Sequence, residues 1–225
     1  MHRLKIGPWA GYGWLFWGWL LLAPWVHADA LVPPQQLIKK TSDQIQTELR
    51  QIDYKVDFAN AVDIVDRYIE PHVDFNRFAA LVLGRHWRTA TPEQRARFKK
   101  EFKTMLIRTY ATAYGEYAEW EIQFMPIRGW ESDTSKLMVR TKFVQPGSQP
   151  VPVDFRMIRK GGEWKVYDVV IEGVDLIKNY RTTFDQEIQT GSLDALIDRL
   201  AERNRKAFKD GGKASSALPQ PIPGA

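Results

Sequence analysis

Asp168 is the residue that most invites a chemical reading, because it interrupts an otherwise apolar run, "WKVYDVVI". A carboxylate placed beside Tyr167 or Tyr110 could shuttle protons. It could equally accept hydrogen bonds from nearby backbone or an arginine, and that structural role is the favoured reading. Asp63, Asp66 and Glu70 share part of one helix face beside Arg67. They read as a solvated acidic face rather than an acid/base pair. His72 and His86 stand fourteen residues apart with no cysteine anywhere in the chain, so the spacing offers no metal site. There is no G-x-S-x-G elbow, phosphate loop or dinucleotide fingerprint. The sequence nominates no catalytic residue, metal or cofactor.

The elements that position these residues follow from periodicity. Leu31 to Pro34 read as a linker. Leu37, Ile38, Ile45, Leu49 and Ile52 then form a helical stripe. A second helix is predicted from about Phe58 to Glu70, with Asp57 as its cap. A short third runs between Asp74 and Gly84. In "TATPEQ", Thr91 caps a helix, Pro92 takes its first position and Gln94 completes a capping box. That helix should reach about Tyr117, with Phe98, Phe102, Met105, Leu106 and Tyr110 facing inward.

After Trp120 the period changes to two. Ile122 and Phe124 alternate, as do Leu137, Val139, Thr141 and Phe143, and then Val151, Val153, Phe155 and Met157. Gly161-Gly162 is a hairpin turn into a strand that is apolar on both sides: Trp164, Val166 and Val170 on one, Tyr167, Val169 and Ile171 on the other. Two helices follow, the first ending at Gly191 and the second capped by Ser192. Helices, a meander of about four antiparallel strands, then helices: this is an α+β design.

The 225 residues suffice for one cored domain. Residues 1–30 read as a cleaved signal peptide: Arg3 and Lys5, a short apolar run from Trp14 to Val26, and Ala28-Asp29-Ala30. The run is broken by Gly18 and Pro24 and is shorter than the ~18 to 20 residues of a spanning helix. Residues 31–209 form the predicted domain, and 210–225 a Gly/Pro/Ser-rich disordered tail. Without the first 30 residues the chain keeps 30 basic and 26 acidic groups, a net +4. That mild excess suits an anionic surface or an acidic partner. The aromatics of the basic helix, Phe98 and Phe102, fit an inward stripe better than a stacking platform, which argues against nucleic acid.

"ALVLGRHWRTATPEQRARF", "GEWKVYDVVIEGVDLIKNYR" and "TGSLDALIDRL" occur in that order, and together the chain from about 35 to 205 resembles the MlaC (Ttg2D, toluene-tolerance) family. The resemblance implies an NTF2-like cone and a soluble periplasmic carrier. Such a carrier moves glycerophospholipids between an outer-membrane lipoprotein complex and an inner-membrane ABC transporter, without enzymatic activity. The acyl chains would then be held by Phe102, Met105, Leu106, Tyr110, Leu137, Val139, Phe143, Val153, Phe155, Val169 and Ile171. Exposed Arg85, Arg88, Lys178 and Arg181, with the Arg95 to Lys103 face, would meet the membrane complexes. The competing reading is an isomerase-type enzyme of the same cone shape that uses Asp168 with a tyrosine.

Overall fold

The computed structural model describes residues 30–52, 58–116 and 120–209. The signal segment up to Asp29, the Asp57 cap, the helix end at Tyr117 and the tail from residue 210 lie outside the described residues.

Helix α1 (Pro33–Leu49) begins earlier than the apolar stripe suggests, inside the expected linker. Two prolines fit its first turn because the N–H groups there have no intrahelical partner. Gln35 Oε1 accepts the free Val32 N–H at 3.1 Å. Helix α2 (Phe58–Ile69) runs into a 3₁₀ turn at Glu70–His72. Asp74 caps α3 (Phe75–Leu83) by accepting from Arg77 N at 3.0 Å, and Gly84 follows the helix. A short α4 (Arg85–Thr89), which the sequence pattern does not announce, leads to α5 (Pro92–Glu116). The capping box at Thr91 forms as expected: Gln94 N donates to Thr91 Oγ1 at 3.2 Å, and Thr91 N to Gln94 Oε1 at 3.0 Å.

Strands β1 (Glu121–Phe124), β2 (Lys136–Val144), β3 (Val151–Lys160), β4 (Glu163–Ile171) and β5 (Val174–Asp175) form one antiparallel sheet in sequence order. The sheet therefore has five strands rather than about four. The fifth is two residues long, and no period can be read from two residues. It is folded back by Glu172 and Gly173, with φ of 50° and 82°. Positive φ at both central positions is what a tight hairpin requires. Helices α6 (Leu176–Thr190) and α7 (Leu193–Lys209) complete the chain.

The register of β4 corrects the face assignment drawn from its sequence. Arg156 pairs with Asp168, but Met157 pairs with Val166, leaving Tyr167 as an extra residue. Such a bulge reverses the alternation beyond it. Val166 and Val169 consequently share a face, opposite Met157 and Phe155 respectively. Trp164, Val166, Val169 and Ile171 thus line the inner side together, and Asp168 and Val170 take the other. The strand is oily at both parities because its parity changes midway.

The interior has two packed clusters. Among helices α2, α3, α5, α6 and α7, Phe98 stacks on Phe102 with ring centroids 5.4 Å apart, and Phe78 and Phe184 meet Phe102 edge-on. At one end of the sheet, Val139, Met157, Trp164 and Val166 close against Ile38 of α1.

Candidate functional site

Between these clusters the interior is not filled. A hollow with about 1350 Å³ of unoccupied space, its mouth included, lies between the sheet and α1, α2 and α5; about 200 Å³ of it admits the centre of a water-sized sphere. A single water needs only about 10–15 Å³ on that measure. The floor is the sheet: Ile122, Phe143, Val151, Val153, Phe155, Val166, Val169 and Ile171. The bulge at Tyr167 allows Val166 and Val169 to contribute together. Helix α1 supplies Leu37, Ile38, Thr41 and Ser42; α2 supplies Val65 and Ile69; α5 supplies Leu106, Ile107 and Tyr110. His72, Val73, Phe75, Phe78 and Leu176 complete the wall.

Of the eleven pocket residues expected from the sequence, Leu106, Tyr110, Phe143, Val153, Phe155, Val169 and Ile171 line this hollow. Phe102, Met105, Leu137 and Val139 do not. Phe102 is fully buried among the helical rings, and Met105 packs against that same cluster. Val139 and Leu137 belong to the cluster at the end of the sheet. Periodicity puts these side chains on the correct face; what it lacks is position along the element. Val139 and Phe143 share a face of β2, but four residues separate them by about 13 Å. The lining role of α1 is not among the expectations from sequence. Thr41 and Ser42 follow Leu37 and Ile38 at the i, i+4 spacing of one helix face, which is the available signal.

The lining carries no charge that it must keep. Burial, reinforced by nearby Lys165, lowers the His72 pKa, so the imidazole is neutral around pH 7. Burial and the hydroxyl of Tyr180 push the Tyr110 phenol well above its ordinary range. Both remain uncharged, as an apolar interior demands.

Asp168 lies apart from the hollow. Its carboxylate is inaccessible to solvent and accepts from the backbone N–H groups of Val169 at 2.9 Å and Ile177 at 3.3 Å. Arg156 bridges Asp168 and Asp175, the second at 2.6 Å. Asp175 in turn caps α6 through Lys178 N at 2.9 Å. Burial raises the Asp168 pKa, and the Asp175 charge adds to this, against the pull of Arg156. Asp175 is lowered overall: burial opposes its ionisation, but Arg156 and the Lys178 N–H outweigh it. These groups tie β4 to the start of α6, and the carboxylate's oxygens are engaged there. The Asp66 and Glu70 pair is likewise structural, both acids meeting Lys103 at 3.0 and 3.1 Å.

The basic residues divide. Arg85 pairs with Asp185 at 2.9 Å. Arg181 Nε donates to the Leu81 carbonyl near the end of α3 at 2.8 Å. Arg97 meets Asp194 and Asp198 of α7, and Arg95 donates to the Trp87 carbonyl. The Arg88 and Lys178 side chains have no ion-pair partner among the described residues. Among those residues, too, no three His, Asp or Glu side chains are grouped to hold a metal, and no helix is long and apolar enough to cross a membrane.

The family model described as "MlaC protein" matches residues 39–202. The chain belongs to the MlaC family. It is 28% identical to the toluene tolerance protein ttg2D of Pseudomonas putida over 179 residues, covering 77% of this chain and 82% of that one. It is 26% identical over 180 residues to the intermembrane phospholipid transport system binding protein MlaC of Haemophilus influenzae, covering 78% and 84%. A Ralstonia solanacearum phospholipid-binding protein, solved in complex with a phospholipid, matches with a TM-score of 0.71 and 30% identity. That match covers 79% of this chain and 99% of the Ralstonia chain, so this MlaC-family member shares nearly the whole of that architecture.

Proposed function

We propose that this protein is a soluble periplasmic phospholipid carrier, exported by a cleaved signal peptide, whose hollow encloses acyl chains. The observation that carries the reading is the apolar space between the sheet and α1, α2 and α5. Support comes from the Ralstonia relative, which was solved with a phospholipid and has the same fold.

The energetics suit a shuttle. Two chains of about 16 carbons gain roughly 25 kcal/mol on leaving water, at ~0.8 kcal/mol per CH₂. That exceeds the practical ceiling for non-covalent affinity, near 18–21 kcal/mol. The relevant exchange, however, is bilayer to pocket and back, one apolar medium for another. Its net free energy is close to zero, and the carrier removes the barrier of crossing water. A neutral wall that is hydrocarbon almost throughout, with Phe143 and Phe155 among its residues, accommodates chains of varied shape.

In this reading Arg88 and Lys178, with Arg85 and Arg181 beside their structural partners, present positive charge to an inner-membrane ABC transporter complex and an outer-membrane lipoprotein complex. The decisive experiment is organic extraction and mass spectrometry of protein purified from the periplasm without detergent. Phospholipid should accompany the wild type and be lost from Ile171→Glu, which places a charge in the wall, while the variant still melts cooperatively. Lipid-free wild-type protein would overturn the proposal.

A further inference from the structure

Outside the hollow, five lysines surround a second concavity. This cleft of about 640 Å³ is lined by Lys99, Lys100 and Lys103 of α5, by Lys160 and Lys165 of the β3–β4 hairpin, and by residues of the stretch from Glu70 to Asn76. Its two acids are already engaged. Glu70 meets Lys103 at 3.1 Å, and Asp74 meets Lys160 at 2.9 Å while capping α3. Lys165 pairs with Glu163 at 2.6 Å and donates to the Pro71 carbonyl at 2.7 Å. Lys99 and Lys100 are exposed, and neither has an ion-pair partner among the described residues. Lys99 and Lys103 stand one turn apart on α5, where like charges repel. The cleft therefore holds positive charge that no described residue answers. Its lining also has an apolar part, Pro71, Val73 and Phe75, with the Phe75 ring centre 6.0 Å from Lys103 Nζ. Val73 and Phe75 border the hollow as well, so the cleft lies against the wall of the larger space. Neither Arg88 nor Lys178 lines it.

Shape and composition together select the occupant. A planar anionic surface reaches only the rim of a cleft. A small inorganic anion leaves Pro71 and Val73 unused. An extended acidic segment that carries an apolar side chain answers both parts of the lining. We propose that the cleft docks an acidic segment of a partner polypeptide, its carboxylates against Lys99 and Lys100 and an apolar side chain against Pro71 and Val73. Complementary charge of this kind speeds encounter and fixes register more than it raises affinity, which suits a partner that must let go. The inference does not depend on what fills the hollow.

The test uses the mature chain, residues 31–225, and a fluorescein-labelled peptide of Glu-Leu-Glu repeats, read by anisotropy beside its Gln-Leu-Gln counterpart. The acidic peptide should bind, less tightly as salt is raised, and the neutral one should not. Lys99→Glu with Lys100→Glu should weaken binding about tenfold, the scale of two exposed ion pairs turned from attraction to repulsion. Lys136→Glu with Lys142→Glu makes the same change of net charge at exposed positions of β2 and should weaken it less than about twofold, because distant exposed charges are screened. Lys99→Arg with Lys100→Arg should bind as the wild type does. If the first variant melts below the wild type, Lys99→Gln with Lys100→Gln replaces it and should weaken binding about threefold. An acidic peptide that does not bind would overturn the proposal. So would equal losses in the two charge-reversed variants, which would mean attraction by overall charge. Tighter binding through the same lysines to phosphatidylglycerol vesicles would assign the cleft to a membrane surface. Displacement of the peptide by inorganic phosphate at matched ionic strength would assign it to a small anion. Either result overturns the proposal.

Discussion

Phe102 and Leu106 lie one turn apart on α5, yet they face different interiors. Phe102 is surrounded by rings from α3, α5 and α6 and touches no free space. Leu106 borders the hollow. The same contrast runs along β2, where Val139 is fully buried and Phe143 faces the space. Residue type does not separate the two regions; leucine, valine and phenylalanine serve in both. What differs is whether an opposing element comes close enough to fill the gap. An empty 200 Å³ costs about 5 kcal/mol on the scale measured for engineered cavities, a large share of the ~5–15 kcal/mol by which domains are stable. The packed aromatic cluster supplies stability that the hollow withholds.

The sharpest way to break this comparison is Phe102→Ala. It should cost about 3–5 kcal/mol in urea unfolding, because it opens a cavity among rigid neighbours. A cost near that of a surface change would mean that the rings are not a structural unit. Next comes Arg156→Ala at the joint between the hollow's floor and α6. It leaves Asp168 buried beside Asp175 with no counter-charge and should cost about 3 kcal/mol, since breaking a buried pair exposes the full desolvation cost of the survivor. Adding Asp168→Asn should recover part of the loss.

Phe143→Ala should be milder, under about 1.5 kcal/mol in lipid-free protein, because the removed atoms already border empty space. If it matches Phe102→Ala, the hollow is as tightly packed as the core and the comparison fails. The smallest effect is a pH dependence. The His72 pKa is lowered in the folded state, so the unfolded chain binds the proton more readily. Stability from this source is complete above the unfolded value, about 6.5, and is lost as pH falls from there towards the folded value. The melting temperature should therefore drop between pH 7.5 and 5, and drop less in His72→Gln.

Local features of the chain are legible in the order of its amino acids alone. The box at Thr91 and Gln94, the Gly161-Gly162 turn and the caps at Asp74 and Ser192 each involve a few adjacent residues, and each forms as expected. The alternation in β2 and β3 correctly places Phe143, Val153 and Phe155 on the inner face. The motif order around Gly162–Arg181 points to the family that the comparisons establish.

The tertiary structure decided the rest. The bulge at Tyr167 depends on the register of β4 against β3, and register is a contact between distant residues. It moved Val166 to the same side as Val169 and turned Asp168 towards Arg156 and the start of α6. Whether an inward side chain meets another side chain or an empty space depends on how closely whole elements approach. Phe102 and Leu106 received opposite answers from the same helical stripe. Sequence by itself determined most of the helices, the four longer strands and the family, because those follow from interactions over a few residues or from recognisable order. The hollow is the space that packing does not fill, so only the assembled fold could show where it lies.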